Sequence, residues 1–271
     1  MTCDTSNPPP PTLARAIRAT LLEAHPRTKV MATRKLVREW RQGHLAPIFD
    51  VAMPDTPGRP AHPELLPPRD MPKRRKAGSE RGRIALWHSL AHIEFVAIDL
   101  ALDMAGRFGS EMSPEFIDDF LGVAADEALH FALIERHLAT MGSHYGALPA
   151  HGGLWDAASE TRHDVAARLA VVPMVLEARG LDVTPGTRDR VKALGDARGA
   201  VILQRILDDE IRHVRYGATH FDAEAKRRNA PPAILWKTLV SRHFHGVVKP
   251  PFNDSARSAA GLSREFYAAL V

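Results

Sequence analysis

Cysteine occurs once in the 271 residues, as Cys3. A disulfide within the chain is thereby excluded, a thiolate metal site has nothing to build on, and a reducing cytoplasm is the expected compartment. Aromatic residues make up 6% of the chain, and none interleave with its basic run as a stacking surface for nucleic acid requires. No apolar stretch reads as a membrane span, and the start Met1-Thr2-Cys3-Asp4-Thr5 lacks the basic-then-apolar pattern of a signal segment. The expectation is a soluble cytosolic protein that meets no membrane.

Charge and proline are plentiful but unevenly placed. Residues 1–83 hold 16 Lys/Arg against 8 Asp/Glu, and the remainder holds 20 against 24, which gives the net +4. The excess concentrates in Lys73-Arg74-Arg75-Lys76, with Arg81 and Arg83 behind it. Such a run can meet phosphates, on RNA or on a small anion, but without stacking aromatics it reads as a solvated linker, so nucleic acid is not the expected partner. Eight prolines between Pro47 and Pro72 exclude regular structure there and predict an extended strap.

The hydrophobic pattern is helical throughout, so the fold class expected is all-α. Residues 1–11 form a polar, Pro-rich tail expected to be disordered; 12–78 hold two short helices, broken at His25-Pro26, and the strap. Four long helical segments follow over 79–225. The first runs from Ser79 to Arg107; the second opens at Ser113-Pro114, an N-cap followed by proline at the first helical position, and closes at Met141-Gly142. The third is expected from Leu154 to Arg179-Gly180, with Pro173 kinking it and Gly180–Gly186 forming a loop that serves as a lid or access rim or as a plain connection. The fourth runs from Asp196 past Phe221. Residues 226–271 complete the chain as a strap and a short C-terminal helix. Two helical pairs joined by the Gly-rich linker 142–153 predict a four-helix bundle with one longer crossover.

Within those four segments one set of residue types recurs at one spacing. Glu94 lies 33 residues before Glu127-x-x-His130, and Glu177 lies 33 residues before Glu210-x-x-His213. Glu and His at i, i+3 leave the same face of a helix and can grip one ion together. Four carboxylates against two divalent cations leave the cluster roughly neutral, whereas without metal they would be costly to bury or would take up protons. Apolar neighbours such as Ile93-Glu94-Phe95 and Leu176-Glu177-Ala178 place the carboxylates in the core rather than on a solvated face. The six predicted ligands are Glu94, Glu127, His130, Glu177, Glu210 and His213.

Asp126 and Asp209 each precede a ligand Glu and point about 100° away from it, toward a neighbouring helix. A ligand histidine usually donates its other N–H to a carboxylate. Pseudo-symmetry therefore predicts a crossed arrangement, Asp126 with His213 and Asp209 with His130. His92 and His88 lie off the Glu94 face and are expected beside the ligands or in the core, not on the metal. Tyr216 is a core aromatic by the same reading, although its place three residues after His213 would also suit an electron relay. His137, His144, His151, His163, His220, His243 and His245 read as scattered surface or loop histidines.

At Ala91-His92-Ile93-Glu94, Asp126-Glu127-Ala128-Leu129-His130, Leu176 through Gly186, and Asp209-Glu210-Ile211-Arg212-His213, the chain resembles a bacterial ferritin-like family known as a domain of unknown function. The likeness extends to Pro67–Pro72 and Lys249–Asn253. It implies a ferritin-like four-helix bundle and supplies no substrate. The ligand order is similar to that of the wider di-metal carboxylate superfamily, in which glutamates bridge the ions and each histidine caps one. That implies oxygen-dependent chemistry with two iron ions, or with manganese or a mixed Mn/Fe pair, acting on dioxygen and a small-molecule substrate with an external electron donor. Hydroxylation of a tRNA nucleoside, iron oxidation without an organic substrate, and a metal-stabilised scaffold are the alternatives. A monomer or dimer is expected, because the segments flanking the bundle would cover faces that a storage shell needs.

Overall fold

A computed structural model describes residues 11–71 and 78–268. The tail 1–10 with Cys3 and the basic run Lys73-Arg74-Arg75-Lys76 lie outside those residues. Pro11, grouped above with the tail, is tied by its carbonyl to the Ala46 N–H at 3.1 Å. Among the described residues the chain is all-α, with isolated bridges pairing Thr12 with Ala46 and Leu65 with Ala150.

The start signals in the sequence work as N-caps. Ser79 accepts from the Gly82 N–H at the head of α3 (Glu80–Phe108), and Ser113 accepts from the Phe116 N–H at the head of α4 (Pro114–Thr140). Joined by the short turn 109–113, these two helices pack along each other as an antiparallel pair. α3 is long and apolar enough to cross a membrane, contrary to expectation, but 67% of its most apolar stretch is buried in the protein. It is the central core helix. The two N-terminal helices, α1 (Leu13–Leu22) and α2 (Pro26–Arg41), lie on α3 and α4 respectively, with Pro26 opening α2.

The third segment departs from expectation in three ways. It is broken into α5 (Gly153–Glu160) and α6 (Val165–Val171), because Asp164 caps a new start by accepting from the Ala166 and Ala167 N–H groups. Pro173 does not end the helix. It sits in a π-helical stretch, Val172–Glu177, in which bonds span one residue more than in an α-helix and the missing proline N–H is absorbed. The chain then continues without a break into α7 (Ala178–Ala193), so Gly180–Gly186 is helix and not a lid loop. Pro185 is tolerated there because the carbonyl it deprives, that of Leu181, accepts from Asn253 Nδ2 at 3.1 Å.

α8 (Ala197–Arg227), capped by Asp196, pairs with α7 and faces α4. Pro173 docks on it at Gly217, where a Cβ would come within 2.4 Å of the proline ring. The C-terminal region holds a helix not anticipated, α9 (Pro232–His243), followed by two short helices, α10 (Asp254–Ala259) and α11 (Arg264–Tyr267). α9 packs on α6, and Trp236 donates its indole N–H to the Ala170 carbonyl at 3.2 Å, beside the π-helical stretch.

Buried ion pairs anchor the N-terminal region and the crossover to α3. Lys29 and Asp99 are both fully buried and 2.6 Å apart; Arg59 also bonds Asp99. Arg168 donates to Asp103 at 2.6 Å and to the Ala158 carbonyl. Removing one partner of such a pair leaves a charge stranded out of water, at a cost of about 3–5 kcal/mol. Asp99→Ala, which strands Lys29, is therefore expected to lower unfolding stability in urea by about that much. Lys29→Met should cost less, since Arg59 still meets Asp99; the opposite order would show that the lysine, not the carboxylate, organises this contact.

Candidate metal centre

Four helical stretches bring the predicted residues to one level of the protein: α3 supplies Glu94, α4 Glu127 and His130, the π-helical stretch Glu177, and α8 Glu210 and His213. Glu94, Glu127, His130 and Glu210 are all buried, and each offers one ligand atom within 4.8 Å of the others. His213 joins through Nδ1, 3.1 Å from Glu127 Oε1 and 3.8 Å from Glu210 Oε1. On the other side His130 Nδ1 lies 3.2 Å from Glu94 and 3.4 Å from Glu127. Glu127 thus stands between the two imidazoles. Glu177 makes no hydrogen bond or ion pair with these groups but feels the charges of Glu210, His213 and Glu127. The residue as a whole is half-buried, but its carboxyl group is buried like the others.

The outward ring nitrogens are held in the crossed manner that pseudo-symmetry suggests. Nε2 of His130 is 3.1 Å from Asp209, and Nε2 of His213 is 3.2 Å from Asp126. With Nε2 engaged by a carboxylate, Nδ1 of each ring is directed at the glutamates. Arginines that sequence reading overlooked complete this shell. Arg212 bridges Asp126 at 2.6 Å and Asp209 at 3.1 Å, and Arg205 Nε donates to Asp209 at 2.5 Å. The signal was there, since Arg205 and Arg212 stand at i−4 and i+3 from Asp209 on one helix face.

His92 does not touch the cluster. Its Nδ1 lies 2.9 Å from the Tyr145 hydroxyl and its Nε2 3.1 Å from the His151 carbonyl, so its role is to pin the crossover loop to α3. His88 does the same work by accepting from the Gly146 N–H. Three histidines read as surface residues are buried: His137, which meets Asp196 at 2.9 Å, His220, which meets Asp119 at 2.8 Å, and His243. Tyr216 is half-buried against the core.

The electrostatics describe what this crowding costs without a cation. Burial, then repulsion from Glu127, raises Glu94 well above the carboxylate range. Burial and Glu210 push Glu177 up to about 8, and burial with Glu127 raises Glu210. Burial alone would lower both imidazoles, but Asp209, Glu127 and Glu94 around His130, and Asp126, Glu127 and Glu210 around His213, outweigh it and raise both. Glu127 goes the other way: the two histidines beside it outweigh burial and hold it well below the carboxylate range. Protons thus do the neutralising. Even so, both oxygens of Glu127, Oε2 of Glu210 and Nδ1 of His213 are buried without a well-formed hydrogen bond. Buried polar atoms left unsatisfied are costly, and inward-facing carboxylate and imidazole atoms at this spacing fit metal ions.

A family model matches residues 22–268 of the chain. The chain belongs to the family described as "Protein of unknown function (DUF455)". It is similar to an uncharacterized protein of Haemophilus influenzae, with 41% identity over 211 residues, which span 76% of this chain and 73% of that protein. No solved structure matches.

The pKa directions fix a sign. Glu94, Glu177, Glu210, His130 and His213 bind protons more tightly folded than unfolded. Their contribution is complete below their unfolded values, 4.5 for Glu and 6.5 for His, and is lost as pH rises through the folded ones, near 8 for Glu177. The metal-free protein should therefore lose stability between about pH 5 and 9, a trend that thermal unfolding across pH can follow. Cation binding displaces the same protons, so titration of Mn(II) in weak buffer with a pH indicator should show several released per chain and an affinity that climbs with pH. A pH-independent affinity would mean that the cation binds elsewhere.

Proposed function

We propose that this protein is a ferritin-like four-helix bundle that holds two transition-metal ions, iron or manganese, and uses them for oxygen-dependent oxidation of a small molecule. The observation that carries this reading is the cluster of buried glutamate and histidine atoms facing one another, with both Glu127 oxygens, Glu210 Oε2 and His213 Nδ1 lacking a hydrogen-bond partner, backed by the crossed Asp126 and Asp209. When bound, iron supplies dioxygen with electrons and supplies the oxidising power that no side chain here possesses.

The chain's own residues do the positioning. Glu94 and His130 lie toward one oxygen of Glu127, and Glu210 and His213 toward the other, so all five would hold the metal together with Glu177. Asp209 and Asp126 hold the imidazole Nε2 protons and leave Nδ1 free as donor. Phe95, Phe131 and Val214, each next in sequence to a site residue, and Leu207, one turn before Glu210, are buried and keep the neighbourhood apolar. Glu177, which makes no hydrogen bond to the other five, is the carboxylate freest to shift when substrate enters. Against a storage role, α2 covers α4, and α10 covers α7 and α8, occupying faces a cage subunit needs for its neighbours.

The test is metal analysis of anaerobically purified protein, then stopped-flow absorbance on mixing with oxygenated buffer. Two ions per chain and a transient coloured species are the expected result. Anomalous scattering at one position only, or no oxygen consumption by the iron-loaded protein, would remove the oxidase reading. Asp209→Asn should reduce metal affinity or turnover by about 10–100-fold, because it weakens the acceptor that sets the His130 tautomer.

A further inference from the structure

The break between α5 and α6 carries a group of metal-binding side chains that the centre described above does not use. Glu160 is the last residue of α5, His163 stands in the turn that follows, and His243, the last residue of α9, meets that turn from the C-terminal region. The His163 and His243 rings lie edge to face with centroids 5.9 Å apart. The turn itself is firmly built: Thr161 is fully buried, its hydroxyl donates to the Ala157 carbonyl at 2.9 Å, and it accepts from Arg168 Nε at 3.0 Å. Along the chain, α6 separates it from the π-helical stretch that supplies Glu177.

His243 is the member of this group that packing leaves unexplained. It is 8% exposed, and its Nδ1 is buried with no hydrogen-bond partner, an arrangement that costs stability unless something answers it. That nitrogen is 3.7 Å from Glu160 Oε1. The separation is too long for a hydrogen bond. It is near the spacing of two donors on one tetrahedral zinc ion, roughly 3.4 Å for bonds of about 2.1 Å. Glu160 and His163 are both exposed, so their side chains are free to turn onto the fixed nitrogen. Asp164, next to His163, is already taken up by Arg228 and by the α6 cap. Glu160 and His243 also close their helices, and the negative end of a helix favours a cation.

We propose that Glu160, His163 and His243 form a second metal site, which takes one zinc ion and ties the crossover to the C-terminal helix α9. His243 Nδ1, a ring nitrogen of His163 and the Glu160 carboxylate are its three protein donors, and water completes the tetrahedron. Two imidazoles with one carboxylate suit zinc and disfavour magnesium or calcium, which seek oxygen alone. The site shares no residue with the buried centre on α3, α4 and α8, and it stands whether or not that centre holds metal.

The test titrates the full chain with zinc against a chromophoric chelator and locates zinc in soaked crystals by anomalous scattering at its absorption edge. An ion is expected between His243 Nδ1, Glu160 and His163, apart from any beside Glu127. His163→Ala and Glu160→Gln alter exposed side chains and leave the fold intact; each should weaken this one zinc at least tenfold while metal uptake at the buried centre stays as in the parent. His243→Ala should abolish the site, and the two exposed variants decide the matter if that protein does not fold. Zinc should also raise the thermal unfolding midpoint of the parent more than that of His163→Ala, as a tie between distant segments requires. Scattering at the buried centre alone, zinc retained in full by both exposed variants, equal thermal stabilisation of parent and His163→Ala, or occupancy only at millimolar zinc, an adventitious ion only, would each overturn the proposal.

Discussion

Two imidazoles, each held between inward glutamates and an outward aspartate, tie α4 to α8 at the centre of this protein. His130 is on α4 and its outer partner Asp209 is on α8; His213 is on α8 and its outer partner Asp126 is on α4. Neither helical pair can satisfy its own histidine. The two pairs are therefore registered against each other by side-chain chemistry as well as by apolar packing, and Arg212 closes the lattice by reaching both aspartates. Packing alone would permit small sliding of one pair on the other; hydrogen bonds of this geometry do not.

The same logic extends along α3. That helix carries Glu94 into the cluster, but it also buries Asp99 and Asp103, which point to other neighbours. Lys29 and Arg59 come from the N-terminal region to meet Asp99, and Arg168 comes from the crossover to meet Asp103. A core helix with three buried acids cannot stand in an apolar environment unless each is answered. The appended segments are thus a condition for α3 being where it is.

Much of this was legible in the sequence because it depends on local spacing. Ser79, Ser113 and Asp196 announce helix starts through their own side chains, and the i, i+3 pairs and the 33-residue recurrence put the six site residues on helix faces before any packing is known. What escaped depends on partners distant in the chain. Gly180, Pro185 and Gly186 look like a loop because the remedy for Pro185 lies at Asn253, and Pro173 looks like a break because its accommodation draws on Gly217 and on the neighbouring Trp236 of a helix that went unrecognised. His137 and His220 looked superficial for a similar reason, since their acid partners come from other helices. Local propensity was right about the cost of each residue and blind to what offsets it.

The π-helical stretch Val172–Glu177 sets a condition on length. It holds one residue more between bonded partners than an α-helix does, and that extra residue turns all that follows by about 100° relative to an uninterrupted helix. Glu177 faces the cluster only because of that turn, and Asp182, further along, meets Asn253 and Arg257 for the same reason. Deleting a single residue between Pro173 and Leu176 would let the backbone relax into regular helix while rotating both the carboxylate and the C-terminal anchor out of place. At this point the chain can bear a change of side chain far more readily than a change of count.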